Sequence, residues 1–338
     1  MNTMDEATLD EWNGLYDLAV QLKALAPWTW MDDDDIFAVQ SPADGELSYG
    51  IVMGGGGEAF GLALFVGEDG FEAYRRLVED ETEPESLEAG AMLRTLSMTF
   101  VDRGELDRRD HQVIKALGLK FRGRNVWPLF RSQRPGYAPW YLEREEVLLL
   151  DIALRFTLEV AEGLRDGSVD LYERVDEDEV YTLITYGGEP RRQWTSLPQE
   201  PAPIPPPQPD VALLERLKEQ SDGPRGQLHV DCFLLPTLIA EKQERPYYPR
   251  CLLVVQDDGL IIGTEIMPPW ALEAEQQQAL VSSLERTGVI PASIIVPSPY
   301  VLRLVQPVAD MLGAQAVVQE APALEAIRED LIHEVMRG

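Results

Sequence analysis

The sequence predicts an α+β protein made of two mixed α/β domains joined by a proline-rich linker. Three observations carry this prediction. The stretch 197–209, LPQEPAPIPPPQP, holds proline at a density that fixes φ, removes backbone donors and favours an extended spacer over a packed element. Patterned sequence resumes on both sides, which places an N-terminal domain at 1–196 and a C-terminal domain at 210–338. In each half, short apolar runs alternate with runs of helical period. A chain of 338 residues that is 45% hydrophobic has enough apolar material for two cores. Cutting the linker is expected to release two independently folding pieces.

The N-terminal elements follow in order. Trp12, Leu15, Tyr16, Ala19, Leu22 and Leu25 recur at helical spacing, and Pro27 ends that helix. Residues 36–39 and 48–53 read as strands joined through the turn sequence Pro42-Ala43-Asp44-Gly45, and 60–66 is a third strand. Asp69 and Glu72 have the spacing of a capping box for a helix reaching Val78. A strand at 96–101 and a helix at 107–117, closed by Gly118, come next. A long helix at 143–164 carries Leu148, Ile152, Phe156 and Val160 in a stripe, and 180–186 is the last strand. Short turns between the early strands predict a mostly antiparallel sheet.

The C-terminal half opens with a helix at 211–218 and a strand at 228–235. Residues 251–256 and 260–267 form a hairpin around Asp257-Asp258-Gly259. A helix at 270–287 has Pro268-Pro269 before it and Gly288 after. A strand at 294–296, a helix from Ser298-Pro299, a strand at 315–319 and a helix from Pro322 complete the chain. Pro307 is expected to kink the middle helix. The order hairpin, helix, strand, helix, strand, helix suits a three-layer α/β domain whose last strands are parallel.

Charge and composition exclude several partners. Against 29 Lys+Arg stand 59 Asp+Glu, a formal net charge of -30. Duplex DNA binding draws its affinity from cations that neutralise phosphates, so no duplex nucleic acid is expected. No window approaches a membrane-spanning run, and MNTMDEATLDEW lacks the basic start and apolar stretch of a secretory signal. Only Cys232 and Cys251 occur, which predicts reduced, buried thiols in a cytoplasmic protein.

Against this acidic background one segment is basic. KFRGRNVWPLFRSQRPGYAPWY, residues 120–141, contains Arg122, Arg124, Arg131 and Arg134 interleaved with Trp127, Tyr137 and Trp140. RPYYPR, residues 245–250, repeats that chemistry in the other half with Arg245, Tyr247 and Tyr248. Arginine and large aromatics dominate contact energy at recognition surfaces. Two readings stand. The segments are stiff loops whose arginines pair with internal carboxylates, or they are a face that binds a protein, a peptide or a single strand through guanidinium forks and stacking. The binding reading makes these ten residues the candidate site. It expects 120–141 to be irregular for most of its length, Trp127 and Trp140 to be largely buried anchors, and at least two of the four arginines to stay accessible near Arg245 or Tyr247.

The runs DDIFAVQSP, GELSYGIVMG, GEAFGLALFVG, WPLFRSQRPGYAPW and RPYYPR resemble a family of bacterial two-domain proteins with a domain of unknown function at each end. That resemblance implies a coherent two-domain fold and no activity. The tail's element order is similar to the ribonuclease-H-like fold in topology only, and a fold does not carry a function with it.

Catalytic chemistry finds little support in the residues. A two-metal nuclease on the tail, the alternative function, needs converging carboxylates. Asp257 and Asp258 offer one, but Ile294-Ile295-Val296-Pro297-Ser298 has no acid where the next is required. No metal-dependent cleavage of DNA or RNA is expected. Asp32 to Asp35 are consecutive and cannot converge on one ion as an alternating calcium loop does. The four glycines at 54–57 lack the following Lys-Ser/Thr of a phosphate loop. His111, His229 and His333 lie far apart. The sequence therefore nominates no catalytic residue, no metal and no cofactor, and leaves a binding or interaction protein as the first expectation.

Overall fold

The computed structural model describes residues 6–79, 87–174, 176, 178–199, 205–220, 223, 225–240 and 244–337. It is an α+β chain with two sheets, in two compact units. The first unit is Met1–Glu85, Met92–Arg134 and Pro139–Pro201; the second is Ser86–Ala91, Pro135–Ala138 and Ala202–Gly338. Two short stretches that precede the linker in sequence thus belong to the second unit. Residues 200–204 of the linker lie outside the described residues.

In the first unit the chain runs α1 (Leu9–Leu25), β1 (Phe37–Gln40), β2 (Leu47–Met53), β3 (Phe60–Val66) and α2 (Gly67–Glu79). After α3 (Leu87–Ala91), which belongs to the second unit, come β4 (Thr95–Val101), α4 (Arg108–Ala116), β5 (Trp127–Gln133), α5 (Arg144–Asp166), β6 (Glu179–Ile184) and β7 (Arg191–Ser196). The seven strands take the order β5-β4-β3-β2-β1-β6-β7. All pairs are antiparallel except β1 with β6, because α5 carries the chain back across the sheet before β6.

Burial explains the layering. Leu15 and Leu22 of α1, Leu150 and Leu154 of α5, and Phe37, Leu62, Leu64 and Met98 of the sheet are fully buried in one core. The opposite face of β2 and β3 packs Tyr49 and Phe65 against Phe71 and Tyr74 of α2, with the Tyr49–Phe71 rings stacked 4.3 Å apart. Gly61 permits the tightest strand contact: a Cβ there would lie 1.9 Å from the Met98 carbonyl oxygen.

In the second unit α6 (Val211–Gln220) and β8 (Gln227–Leu234) lead into β9 (Arg250–Gln256) and β10 (Ile261–Met267). Then follow α7 (Glu273–Thr287), β11 (Ser293–Val296), α8 (Pro299–Leu312), β12 (Gln315–Val318) and α9 (Pro322–Arg337). The strand order is β10-β9-β8-β11-β12. The first three are mutually antiparallel, and β8, β11 and β12 are parallel. Helices α6, α7 and α8 cover one face and α9 the other, which makes three layers. Near the linker, Pro209 is buried, and the Gln277 amide of α7 donates to the carbonyls of Pro207 and Leu304 at 3.0 and 2.8 Å.

Three elements were not legible in the sequence. β5 contains Pro128, which lacks a donor, but β5 is an edge strand, where a missing N–H is tolerated. β7 is mostly charged and polar and largely exposed, so it shows no apolar alternation. α3 is only five residues long. The helix expected from residue 270 starts at Glu273, because Pro268–Ala271 forms a turn closed by the Ala271 N–H donating to the Pro268 carbonyl at 3.0 Å. α8 runs through Pro307 as one helix.

Candidate interaction surfaces

The basic segment divides between the two units, and its arginines divide between two fates. Arg131 leaves β5 and forks onto Asp110 of α4, with Nη1–Oδ1 and Nη2–Oδ2 at 2.9 and 2.7 Å, and reaches Asp107 at 3.3 Å. Burial opposes its charge, but Asp110 and Asp107 outweigh burial and raise its pKa. Arg134 pairs with Glu143 and Glu146 at 2.8 and 3.0 Å. Both are held in ion pairs within the first unit; the Arg131 side chain is 17% exposed and that of Arg134 42%. Arg122 and Arg124 stay exposed in the turn before β5, where Asn125 adopts φ 49° and its N–H donates to Asp102.

The two expected anchors, Trp127 and Trp140, are partly buried. Trp127 packs on Phe121 with Arg103 over its ring, and Trp140 lies edge-on to Tyr141. The segment lacks regular structure for most of its length, with β5 at its centre and Ser132 exchanging backbone hydrogen bonds with Trp140. What it builds in the first unit is a groove of about 390 Å³. Trp12 and Tyr16 from α1, Phe130 from β5, and Trp140 and Tyr141 line it with rings, and Arg109 of α4 lies at its edge. The Tyr141 hydroxyl donates a short bond to Asp107; burial, then that carboxylate, pushes the phenol up to about 12.

Residues Pro135–Ala138 meet the second basic segment inside the second unit. Tyr137 bridges Tyr247, and Tyr247 bridges Ile239. The Ala138 N–H donates to Pro246 at 2.9 Å, and Tyr248 donates to Gly136 at 2.8 Å. Gly136 has φ +80°, and a Cβ there would lie 2.3 Å from Pro269, so the close approach requires glycine. The rings converge on Trp270. Tyr137 stacks on it at 5.1 Å and 14°, Tyr247 meets it edge-on at 4.9 Å, and Tyr137 and Tyr247 lie 6.3 Å apart. Trp270 remains 52% exposed, and Leu272 69%, beside exposed Leu238 and Ile239. Arg245 and Tyr248 are half-buried next to this cluster.

Sequence reasoning thus found two of the three rings. Trp270 was absorbed into a helix; the adjoining Pro268-Pro269 pair was the signal that it stands outside one.

A buried polar centre lies under the start of β9. Arg250 is 2% exposed, and its Nη2 pairs with Glu88 of α3, whose other oxygen accepts the Leu234 N–H at 3.1 Å. The guanidinium lies 5.4 Å from the Tyr300 ring centre, and its Nε and Nη1 have no hydrogen-bond partner among the described residues. Gln276 Oε1 accepts from the Tyr300 hydroxyl at 2.7 Å and from the Cys232 thiol at 3.2 Å. Burial pushes the Cys232 thiol up to about 12, which opposes nucleophilic use. Burial also raises the pKa of Asp231, against the pull of Arg328 at 3.3 Å. Among the described residues no three His, Cys, Asp or Glu side chains gather to hold a metal ion, and no helix is long and apolar enough to cross a membrane.

Fold and geometry together define a two-unit α+β protein that carries a cluster of partly exposed aromatic rings in each unit. The chain belongs to the family Domain of unknown function (DUF7309), whose model matches residues 12–183. Residues 213–332 match a second one, Domain of unknown function (DUF6930). The two matches give the arrangement that the sequence resembles, one domain of unknown function at each end. No curated protein and no solved structure matches the chain.

Proposed function

We propose that this is a cytoplasmic binding protein that docks a protein partner on the Tyr137–Tyr247–Trp270 patch of its second unit. One observation carries the reading: a rigid base joined to an exposed top. Rings from three separate stretches of chain interlock, and Trp270 and Leu272 still show 52% and 69% of their surface. A preorganised tryptophan loses little side-chain freedom on docking and supplies large contact area, which is how interface hot spots work. The partner's contact face is apolar at its centre and basic at its rim. Glu244 and Glu275 flank the patch in sequence, are exposed and form no ion pair among the described residues, and the whole chain carries -30. Two buried free thiols suit a reducing compartment. A nuclease on this unit draws no support from Asp231, which is committed to Arg328, or from the acid-free strand β11.

Random peptides displayed on phage and panned against the full chain test this. Enriched sequences should combine aromatic or aliphatic residues with Lys or Arg. Trp270→Ala should weaken them by about 30-fold, equivalent to roughly 2 kcal/mol, and leave the chain folded, with a melting temperature lowered by the loss of its two ring contacts. Binding should also weaken as salt rises. No enrichment, or peptides that bind Trp270→Ala as tightly as the parent chain, would overturn the proposal.

A further inference from the structure

We infer that the groove of the first unit is the binding site of a small aromatic carboxylate, clamped by Arg109 against a floor of rings. Its volume of about 390 Å³ falls in the range of small-molecule sites. The floor is rigid: Tyr16 meets Phe130 edge-on at 5.0 Å, Trp12 packs on Phe130 at 5.9 Å, and Trp140 packs on Tyr141 at 4.9 Å. Offset and edge-on ring geometry of this kind accepts another ring without rearrangement.

Charge selects the head group. The neighbouring arginines are already committed, Arg131 to Asp110 and Arg134 to Glu143 and Glu146. Arg109 is exposed and forms no ion pair among the described residues, in a chain where 59 acids face 29 bases. Its guanidinium carbon lies 4.4 Å from the Tyr141 ring centre, so the planar fork rests on a ring that Asp107 holds by its hydroxyl. A stacked guanidinium keeps its donors free for a carboxylate. A cationic ligand fits less well, because the Tyr141 face it would use already carries Arg109. Of the lining acids, Asp110 shares Arg131 with Asp107 and Glu143 shares Arg134 with Glu146, so each arginine offsets one of the two charges it holds. Glu6 is left unpaired among the described residues and repels an anion at the edge.

Phenylacetate and its neutral isostere phenylacetamide, titrated into the full chain by calorimetry with saturation-transfer NMR, test the assignment. The acid should bind at least about tenfold tighter than the amide, the difference a charge-assisted fork makes. Arg109→Gln should erase that preference without lowering the melting temperature, since Arg109 is exposed. Glu6→Gln should tighten the acid and leave the amide unchanged. Trp270→Ala should alter neither titration, which separates this site from the docking patch. Equal affinity for acid and amide, a preference that survives in Arg109→Gln, or no binding of either probe at its solubility limit would each overturn the inference. Tighter binding of a peptide ending in phenylalanine than of phenylacetate would reassign the groove to a chain terminus and overturn the small-molecule assignment.

Discussion

Replacing Glu88 by alanine strands a buried charge. The Arg250 side chain is 3% exposed, and Glu88 is its one ion-pair partner among the described residues. Two of its nitrogens already lack acceptors among the described residues, and no second carboxylate there pairs with it. Breaking a buried ion pair from one side costs about 3–5 kcal/mol. The Glu88 side chain is 41% exposed, so water reaches that edge and moderates the loss; roughly 2–3 kcal/mol is expected. For a unit of this size that corresponds to a fall in melting temperature of about 5–12 °C. The loss of an acceptor for the Leu234 N–H is included in that figure. Urea titrations followed by tryptophan fluorescence measure it. Arg250→Met removes the charge with similar volume, and Glu88→Ala should then cost little in the double variant, a coupling of at least about 1.5 kcal/mol. A Glu88→Ala loss below about 0.5 kcal/mol, or strict additivity with Arg250→Met, would refute the reasoning.

Two pH dependences follow from named groups. The Arg144 guanidinium, then the Thr8 N–H, hold Glu11 down from 4.5 to about 2. Its folded pKa lies below the unfolded one, so this contribution is complete above about pH 4.5 and lost as pH falls toward 2; Glu11→Gln should flatten that limb in urea midpoints measured against pH, and an unchanged limb would sink the assignment. Burial pushes Cys232 and Cys251 from 9.0 up to about 12. Above pH 9 the unfolded chain sheds both protons first, so stability falls as pH rises toward 12; at pH 8 a disulfide reagent should label neither thiol in the native chain and both in urea, and rapid native labelling of either would contradict this.

Local pattern alone determined most of the elements. The spacing of Leu15 and Leu22, the turn at Asp257-Asp258-Gly259 and the prolines opening α8 and α9 act over a few residues, and all gave helices or hairpins where expected. Strand β5 escaped because Pro128 is tolerated only on an edge, and edge position is a property of the assembled sheet. The shared Arg/Pro/aromatic chemistry of two segments marked both, yet nothing local specified their arrangement. Tertiary structure put Arg131 against α4 and Arg134 against the start of α5, pairing both with carboxylates, and brought Tyr137 to Tyr247 and Trp270. It also matched Glu88 to Arg250 across 162 residues. A carboxylate satisfies whichever guanidinium the fold brings near, and with 59 acids to choose from, composition cannot name the pair.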